Sequence, residues 1–276
     1  MQVIDNNPPE HTAPIIGYHR APLSQKFGAP RQPNLVALPS VIEMFAPYDN
    51  PAAFAGLETF SHIWLSWQFH HNFKSKHALE AQAQPSAASS FRAQVRPPRL
   101  GGNQKIGVFA SRSMYRPSNL GLSVVKLERI EMIDGRVLLV ISGADMIDGT
   151  PIIDIKPYVA YSDAYDDAIS GFAPDEPKLL IVKVTDLAQD QFEQIVNSDS
   201  SNKKAQPKLS ATINQLQQQI TAADIDYIRA LIAQDPRPAY RRDELNSRFI
   251  MRYKSVDVSF MQPALGELQI DSITKV

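Results

Sequence analysis

The feature that most constrains this chain is residues 12 to 160, where short runs of β-branched and aromatic residues are separated by Pro, Gly and Asn, without sustained helical periodicity. Runs of this kind pack well as pleated strands, and the residues between them let the chain reverse. They predict strands at Ile15 to His19, Leu35 to Phe45, His62 to His70, Ile106 to Ala110, Ser123 to Ile130, Val137 to Ser142 and around Ile152. A series of strands with no helices between them favours an antiparallel barrel or closed sandwich. The expected fold class is mainly β, an antiparallel β-barrel with a smaller α+β C-terminal domain.

The division follows from a change of composition. After Tyr161 the acids Asp163, Asp166, Asp167, Asp175 and Glu176 mark a connector, so residues 12–165 and 176–276 are expected to form the two domains. Within the first, Lys74 to Ser90 is rich in Ala, Ser and Gln and reads as a flexible surface loop. The second should open with a strand from Lys178 to Val184 and a helix near Leu187 to Val196, followed by a polar, mobile stretch and two helices. Thr221 stands three residues before Asp224, a capping arrangement, ahead of an apolar face of Ile225, Ile228, Leu231 and Ile232. Alternation through Phe249, Met251, Tyr253, Val256 and Val258, then a turn at Gly266 before Leu268 to Ile273, predicts a closing hairpin.

Zero cysteines exclude disulfides, thiolate zinc sites and cysteine nucleophiles, and no metal site is expected. With no apolar run near the roughly 20 residues of a membrane span and no signal-peptide pattern, a cytoplasmic protein is expected, without a membrane partner. The net charge of −1 conceals an uneven distribution. From Ala81 to Leu127 there is no acid, yet Arg92, Arg96, Arg99, Lys105, Arg112, Arg116 and Lys126 all fall there. Such a stretch suits a polyanion or a carboxylate-bearing ligand.

Four clusters could carry chemistry. In VRPPRLGGNQKIGVFASRSMYRPSNLGLS, prolines and glycines present Arg99, Arg112 and Arg116, whose forked donors suit phosphate or carboxylate; a basic, turn-rich surface is the plainer alternative. KFGAPRQP sets Arg31 and Gln32 on a stiff loop between prolines. Asp148-Gly149-Thr150-Pro151 has turn chemistry and could either hold nucleoside hydroxyl or amine groups or be a plain turn. QDPRPAYRRDELNSRFIMRYK interleaves Arg237, Arg241 and Arg242 with Tyr240, a pattern for phosphate contacts and base stacking, with a solvated, salt-bridged face as the competitor. Histidines 62, 70 and 71 lie in an apolar segment where neighbours on a strand face opposite ways. Ser61 beside His62 invites a hydrolase reading, but no Gly-x-Ser-x-Gly elbow is present. There is likewise no Walker or Gly-x-Gly-x-x-Gly phosphate cradle, so any nucleoside cofactor needs a non-Rossmann scaffold.

Taken in order, IGYHRAP, KFGAPRQP, GLETFSHIWL, VRPPRLGGN, GVFASRS, RPSNLGLS and DGTPIIDIKPY resemble the TrmO, or TsaA-like, family across nearly all of residues 15 to 163, and QDPRPAY resembles the second domain of its bacterial members. Ser111 stands where the family usually has Thr, Ser118-Asn119 where it has Asn-Pro, and His71 where it has a polar residue. The resemblance implies a homodimeric β-barrel methyltransferase that uses S-adenosyl-L-methionine to add an N6-methyl group to N6-threonylcarbamoyladenosine beside the anticodon of a threonine tRNA. It implies cofactor contacts from Pro30, Arg31, Gln32, His70, His71, Arg112, Leu122, Asp148, Gly149, Thr150 and Pro151. RNA contacts are expected from Arg99, Arg116, Arg237, Tyr240, Arg241 and Arg242. The alternatives are a non-catalytic RNA-binding β-barrel module and a methyltransferase for small molecules.

Overall fold

The computed structural model describes residues 11–70, 91–201 and 207–276. The first part forms β1 (Gly17–Arg20), β2 (Pro39–Met44), β3 (His62–Gln68), β4 (Gln94–Val95), β5 (Ile106–Gly107), β6 (Leu120–Ile133), β7 (Arg136–Ser142) and β8 (Pro151–Pro157). Six of them close into a barrel in the order β1-β2-β7-β6-β3-β8. Every pairing is antiparallel, and β8 returns to β1 with Gly17 opposite Ile152. Closure leaves no unpaired edge among these six strands, as the run of strands without helices leads one to expect. On β3 the alternation is complete: Ile63, Leu65 and Trp67 point inward, and His62, Trp64, Ser66 and Gln68 do not. The inward set packs with Ile42, Met44, Val125, Leu139, Ile141 and Ile152 as one core. Burying each such side chain contributes about 1.5–3 kcal/mol relative to exposure.

The remainder forms α1 (Ala160–Asp163), β9 (Ile181–Val184), α2 (Asp186–Ser201), α3 (Lys208–Gln217), α4 (Asp224–Ala233), β10 (Phe249–Tyr253), β11 (Val256–Ala264) and β12 (Glu267–Lys275). The sheet order is β10-β11-β12-β9, with β9 parallel to β12. Ala188, Phe192 and Ile195 of α2 and Ile228, Leu231 and Ile232 of α4 supply the apolar faces of a second core. The Asp224 carboxylate reaches back to the Thr221 backbone N–H at 2.7 Å, the reciprocal half of a capping box, and also accepts from Tyr253 OH (2.6 Å) and Lys254 Nζ (2.8 Å). Among the described residues, no helix is long and apolar enough to cross a membrane.

Several sequence expectations change: the strand expected to His70 ends at Gln68, the one expected from Lys178 begins at Ile181, and the helix expected to Val196 runs on to Ser201, into the stretch read as mobile. The strand expected from Leu35 begins only at Pro39, because Val36 and Leu38 leave the barrel and join the second core with Leu23. The strand expected over Ile106 to Ala110 is two residues paired with β4, followed by a tight 3-10 turn at Val108–Ala110. The longest strand of the barrel, β6, runs Leu120–Ile133 rather than Ser123 to Ile130. The expected loop at 74–90 and the part of the polar stretch at 202–206 lie outside the described residues.

The Val36 and Leu38 exchange is part of a larger union. Phe27 packs on the Phe249 and Phe260 rings at centroid distances of 6.3 and 6.2 Å, and those two rings are 5.8 Å from each other. Gly28, at φ +93°, lies so close to β10 that a Cβ there would meet the Met251 sulfur at 2.4 Å. Both the left-handed backbone and the space therefore require glycine. Lys254 N–H donates to Pro22 O at 2.8 Å, and Gln234 Nε2 donates to Leu35 O at 3.2 Å. The connection between β1 and β2 is thus built into the C-terminal core.

Candidate active site

Because all barrel strands alternate in direction, the ends of β1, β3 and β7 and the starts of β2, β6 and β8 open on one mouth. Four separate stretches of sequence therefore meet there: residues 21–38, 69–70, 111–122 and 143–150. These carry the expected cofactor residues.

The β7–β8 connection is fixed almost wholly by hydrogen bonds. Asp148 N–H donates to Leu23 O (2.7 Å), Gly149 N–H to His19 O (2.8 Å), and His19 N–H to Thr150 O (2.9 Å). Thr150 Oγ1 closes a turn by donating to Ile147 O at 2.7 Å. The Asp148 carboxylate accepts from Ala21 N–H at 3.0 Å and from Gln217 Nε2 at 2.6 Å, both on Oδ1. Gly149 has φ +74°, and its Cβ position would lie 3.9 Å from His70 Nε2, which places His70 beside this turn. β3 ends at Gln68, so His70 stands beyond the ladder, and His71 lies outside the described residues.

Behind the turn sits His19, 1% exposed, with Nδ1 3.1 Å from Ile147 O. Its Nε2 has no partner among the described residues. Burial pushes its pKa down to about 4, against opposing help from the Ile147 carbonyl and the Asp148 charge. The ring is therefore neutral at pH 7, with the proton on Nδ1 donated to Ile147 O.

The opposite wall carries the arginine. Arg112 is exposed, donates through Nη1 to Gln32 Oε1 and stands with Nη2 3.4 Å from Leu122 O, which joins three of the expected cofactor residues. Below it Ser123 receives Trp67 Nε1–H at 3.0 Å and donates to Asp145 Oδ1 at 2.6 Å. Burial raises the Asp145 carboxyl above the usual range, opposed by the Ser123 hydroxyl and by the charge of Arg112. Pro30 and Thr150 are buried, and Pro151 opens β8. Arg31 reaches away from the barrel: its Nη2 donates to Asp235 O (3.3 Å) and Arg237 O (3.2 Å).

The residues expected to touch RNA divide. Tyr240 is 84% exposed. Arg241 pairs with Glu244 at 2.7 Å and lies 4.5 Å over the Phe249 ring; Arg242 is half-buried, 3.2 Å from Asp235. Arg99 donates to Asp175 O, and Arg116 folds onto its own loop at Ser113 O and Leu120 O. Arg237 corrects the sequence expectation: it is 1% exposed and clasps Asp235 with bonds of 2.7 and 3.3 Å, so its guanidinium is a buried strut and not a surface contact. Sequence charge alone cannot separate it from Arg241 and Arg242. Ser61 Oγ and His62 Nδ1 are 2.9 Å apart, but at the other end of the barrel from the mouth.

Sequence reasoning passed over His19, Ser123 and Gln217. Period-two alternation along β1 and β6 marks His19 and Ser123 as inward-facing. Nothing local marks Gln217.

Two family models match: the tRNA-methyltransferase O N-terminal domain over residues 18–164 and the TrmO C-terminal domain over residues 180–275. The tRNA (adenine(37)-N6)-methyltransferase of Escherichia coli is 33% identical over 254 residues, covering 89% of this chain and 93% of that one. The Eikenella corrodens protein of the same name is 40% identical over 183 residues, 66% of this chain and 80% of its own length. Among solved structures, TrmO from Pseudomonas aeruginosa aligns over 99% of this chain and 100% of its own with TM-score 0.69 and 31% identity. In both its barrel and its C-terminal sheet, this chain belongs to the TrmO, or TsaA-like, family.

Proposed function

We propose that the chain is an S-adenosyl-L-methionine-dependent tRNA methyltransferase acting on the N6 position of adenosine 37, the base beside the anticodon. The finer reading is that the base is N6-threonylcarbamoyladenosine in a threonine tRNA, and that the enzyme works as a cytoplasmic homodimer. The observation that carries this is the meeting of four distant segments at one barrel mouth, with the Tyr240–Arg242 segment adjoining through Arg31. The names and extents of the E. coli and E. corrodens relatives support the same reading.

The donor set at the mouth suits a cationic nucleoside that carries a carboxylate. An exposed guanidinium, an aspartate with one oxygen already fixed, a neighbouring imidazole and the apolar surface of Leu122 offer complements for a carboxylate, for hydroxyl or amine groups and for the apolar parts of the ligand. S-adenosylmethionine, when bound, supplies a methyl carbon made electrophilic by its sulfonium. Arg112 holds a carboxylate, that of the cofactor or that of the threonyl group. Asp148 and the backbone of Gly149 and Thr150 hold hydroxyl or amine groups, and Pro30, Gln32 and Pro151 fix the walls. N6 of the modified base is a weak nucleophile because its lone pair is shared with the ring and the carbamoyl group, so positioning carries much of the acceleration. We assign to His70 Nε2, beside Gly149, the uptake of the proton that leaves N6. Tyr240, Arg241 and Arg242, with Arg99 and Arg116 across the mouth, bind the anticodon arm by stacking and phosphate contact.

The test is methyl transfer from labelled S-adenosylmethionine to purified tRNA with and without the threonylcarbamoyl group. Label on modified threonine tRNA alone is the expected result. Label on unmodified tRNA would leave the methyltransferase reading and remove the substrate; no label on any tRNA would overturn the function.

A further inference from the structure

Of the polar bonds that join the C-terminal part to the barrel mouth, two sets land on residues assigned to the cofactor. Gln217, the last residue of α3, donates to Asp148 Oδ1 at 2.6 Å. The carbonyls of Asp235 and Arg237, just beyond α4, accept from Arg31 Nη2 at 3.3 and 3.2 Å. α3 is seated at both ends, since Leu209 N–H also donates to Asp134 Oδ2, at 2.9 Å, in the β6–β7 turn. A ten-residue helix is about 15 Å long, so α3 reaches from the far turn of the barrel to its mouth. On the way, Leu209, Ile213 and Gln217 line an open cleft together with Arg20 and Glu43 of the barrel.

We propose that the C-terminal domain is part of the cofactor site and not solely an RNA-docking module, with Gln217 as a positioning residue that orients Asp148. This rests on the functional reading above. The geometry supplies the reason. With Ala21 N–H and Gln217 Nε2 both on Oδ1, the plane of the Asp148 carboxylate is fixed, and Oδ2, which takes no hydrogen bond among the described residues, is presented to a ligand. A carboxylate held by the backbone donor alone could rotate about its Cβ–Cγ bond, and a ligand would then have to order it on binding. Arg31 is restrained from the same side. By linkage, anything that shifts the C-terminal domain on the barrel shifts cofactor affinity, and bound cofactor stabilises the union in return.

The experiment uses the full-length chain and isothermal titration with S-adenosylmethionine, alongside tRNA binding and melting temperature. Gln217→Ala is expected to weaken cofactor binding by about tenfold to a hundredfold, the worth of a hydrogen bond to a charged group. Gln217→Glu, which sets a second carboxylate against Asp148, weakens it further. Gln217→Lys, which keeps a donor of similar reach, restores most of the affinity. In turnover the Ala variant should raise KM for the cofactor while kcat at saturation and tRNA affinity stay within about twofold. Unchanged cofactor affinity in the Ala and Glu variants would overturn the proposal. So would a fall that tracks melting temperature and is no better in the Lys variant, since that is loss of fold and not of orientation. If the wild-type chain takes up no S-adenosylmethionine, the functional reading falls first.

Discussion

The two walls of the barrel mouth are built on different terms. One wall, residues 21–38 with 143–150, is anchored in depth: Leu23, Val36 and Leu38 sit in the C-terminal core, and the Asp148 turn is pinned by backbone bonds to Leu23 and His19. The other, residues 91–119, is more thinly held among the described residues: its strand ladder is the two-residue pairing of β4 with β5, and Arg92, Arg96 and Arg99 are exposed, with Phe109 74% exposed. A buried wall can hold a ligand in one geometry, and an open one can adapt to a large polyanion. The division teaches that position and access are assigned to different stretches of sequence. Substitutions on the first wall should therefore move stability, and those on the second should move turnover.

The largest expected effect is at Gly28. Gly28→Ala brings a Cβ to 2.4 Å from the Met251 sulfur at φ +93°, and should cost about 2–4 kcal/mol in urea unfolding. Repeating it in a Met251→Ala background should recover part of that loss, and additive losses would show that the contact is not the cause.

His19 comes next. Its folded pKa of about 4 lies below the unfolded value, so the unfolded state binds more protons between pH 6.5 and 4, and stability falls as pH drops through that window. At pH 4.5 this single group accounts for about 2–3 kcal/mol relative to pH 7. A His19→Leu variant should show a pH dependence flatter by that amount; an unchanged slope would mean that the ring is solvated.

On the open wall, Arg112→Ala should lower methyl transfer by roughly tenfold to a hundredfold with the melting temperature unchanged. Full activity would remove Arg112 from the site, and a lowered melting temperature would erase the contrast between the walls. The smallest effect is at Tyr240, where Tyr240→Ala should weaken tRNA binding by about 1 kcal/mol, read at fixed salt.

Runs of β-branched and aromatic residues separated by Pro, Gly and Asn let the barrel be read from sequence, and on β3 and the first half of β6 they bury one face in strict alternation. The apolar face of α4 was as plain. What escaped depends on partners far along the chain. Val36 and Leu38 look like strand residues until residues 249–260 are placed against them, and Arg237 looks like a surface base until Asp235 folds onto it. The candidate site was legible as motifs, since Arg112, Gln32 and Leu122 do meet and His70 does stand by Gly149. The grip on it was not, because the Gln217 to Asp148 bond joins residues 69 apart with no motif between them.

The route of residues 21–38 also sets an order in time. A chain made from its N-terminus exposes Leu23, Phe27, Val36 and Leu38 early, while Phe249, Met251 and Phe260, which cover them, are made near the end. Those early side chains must wait through most of synthesis, and long-range closure of this kind is slow. The mouth is thus finished among the last parts of the molecule, so a nascent or truncated chain would carry every motif of the proposed cofactor site and still lack a formed wall for it.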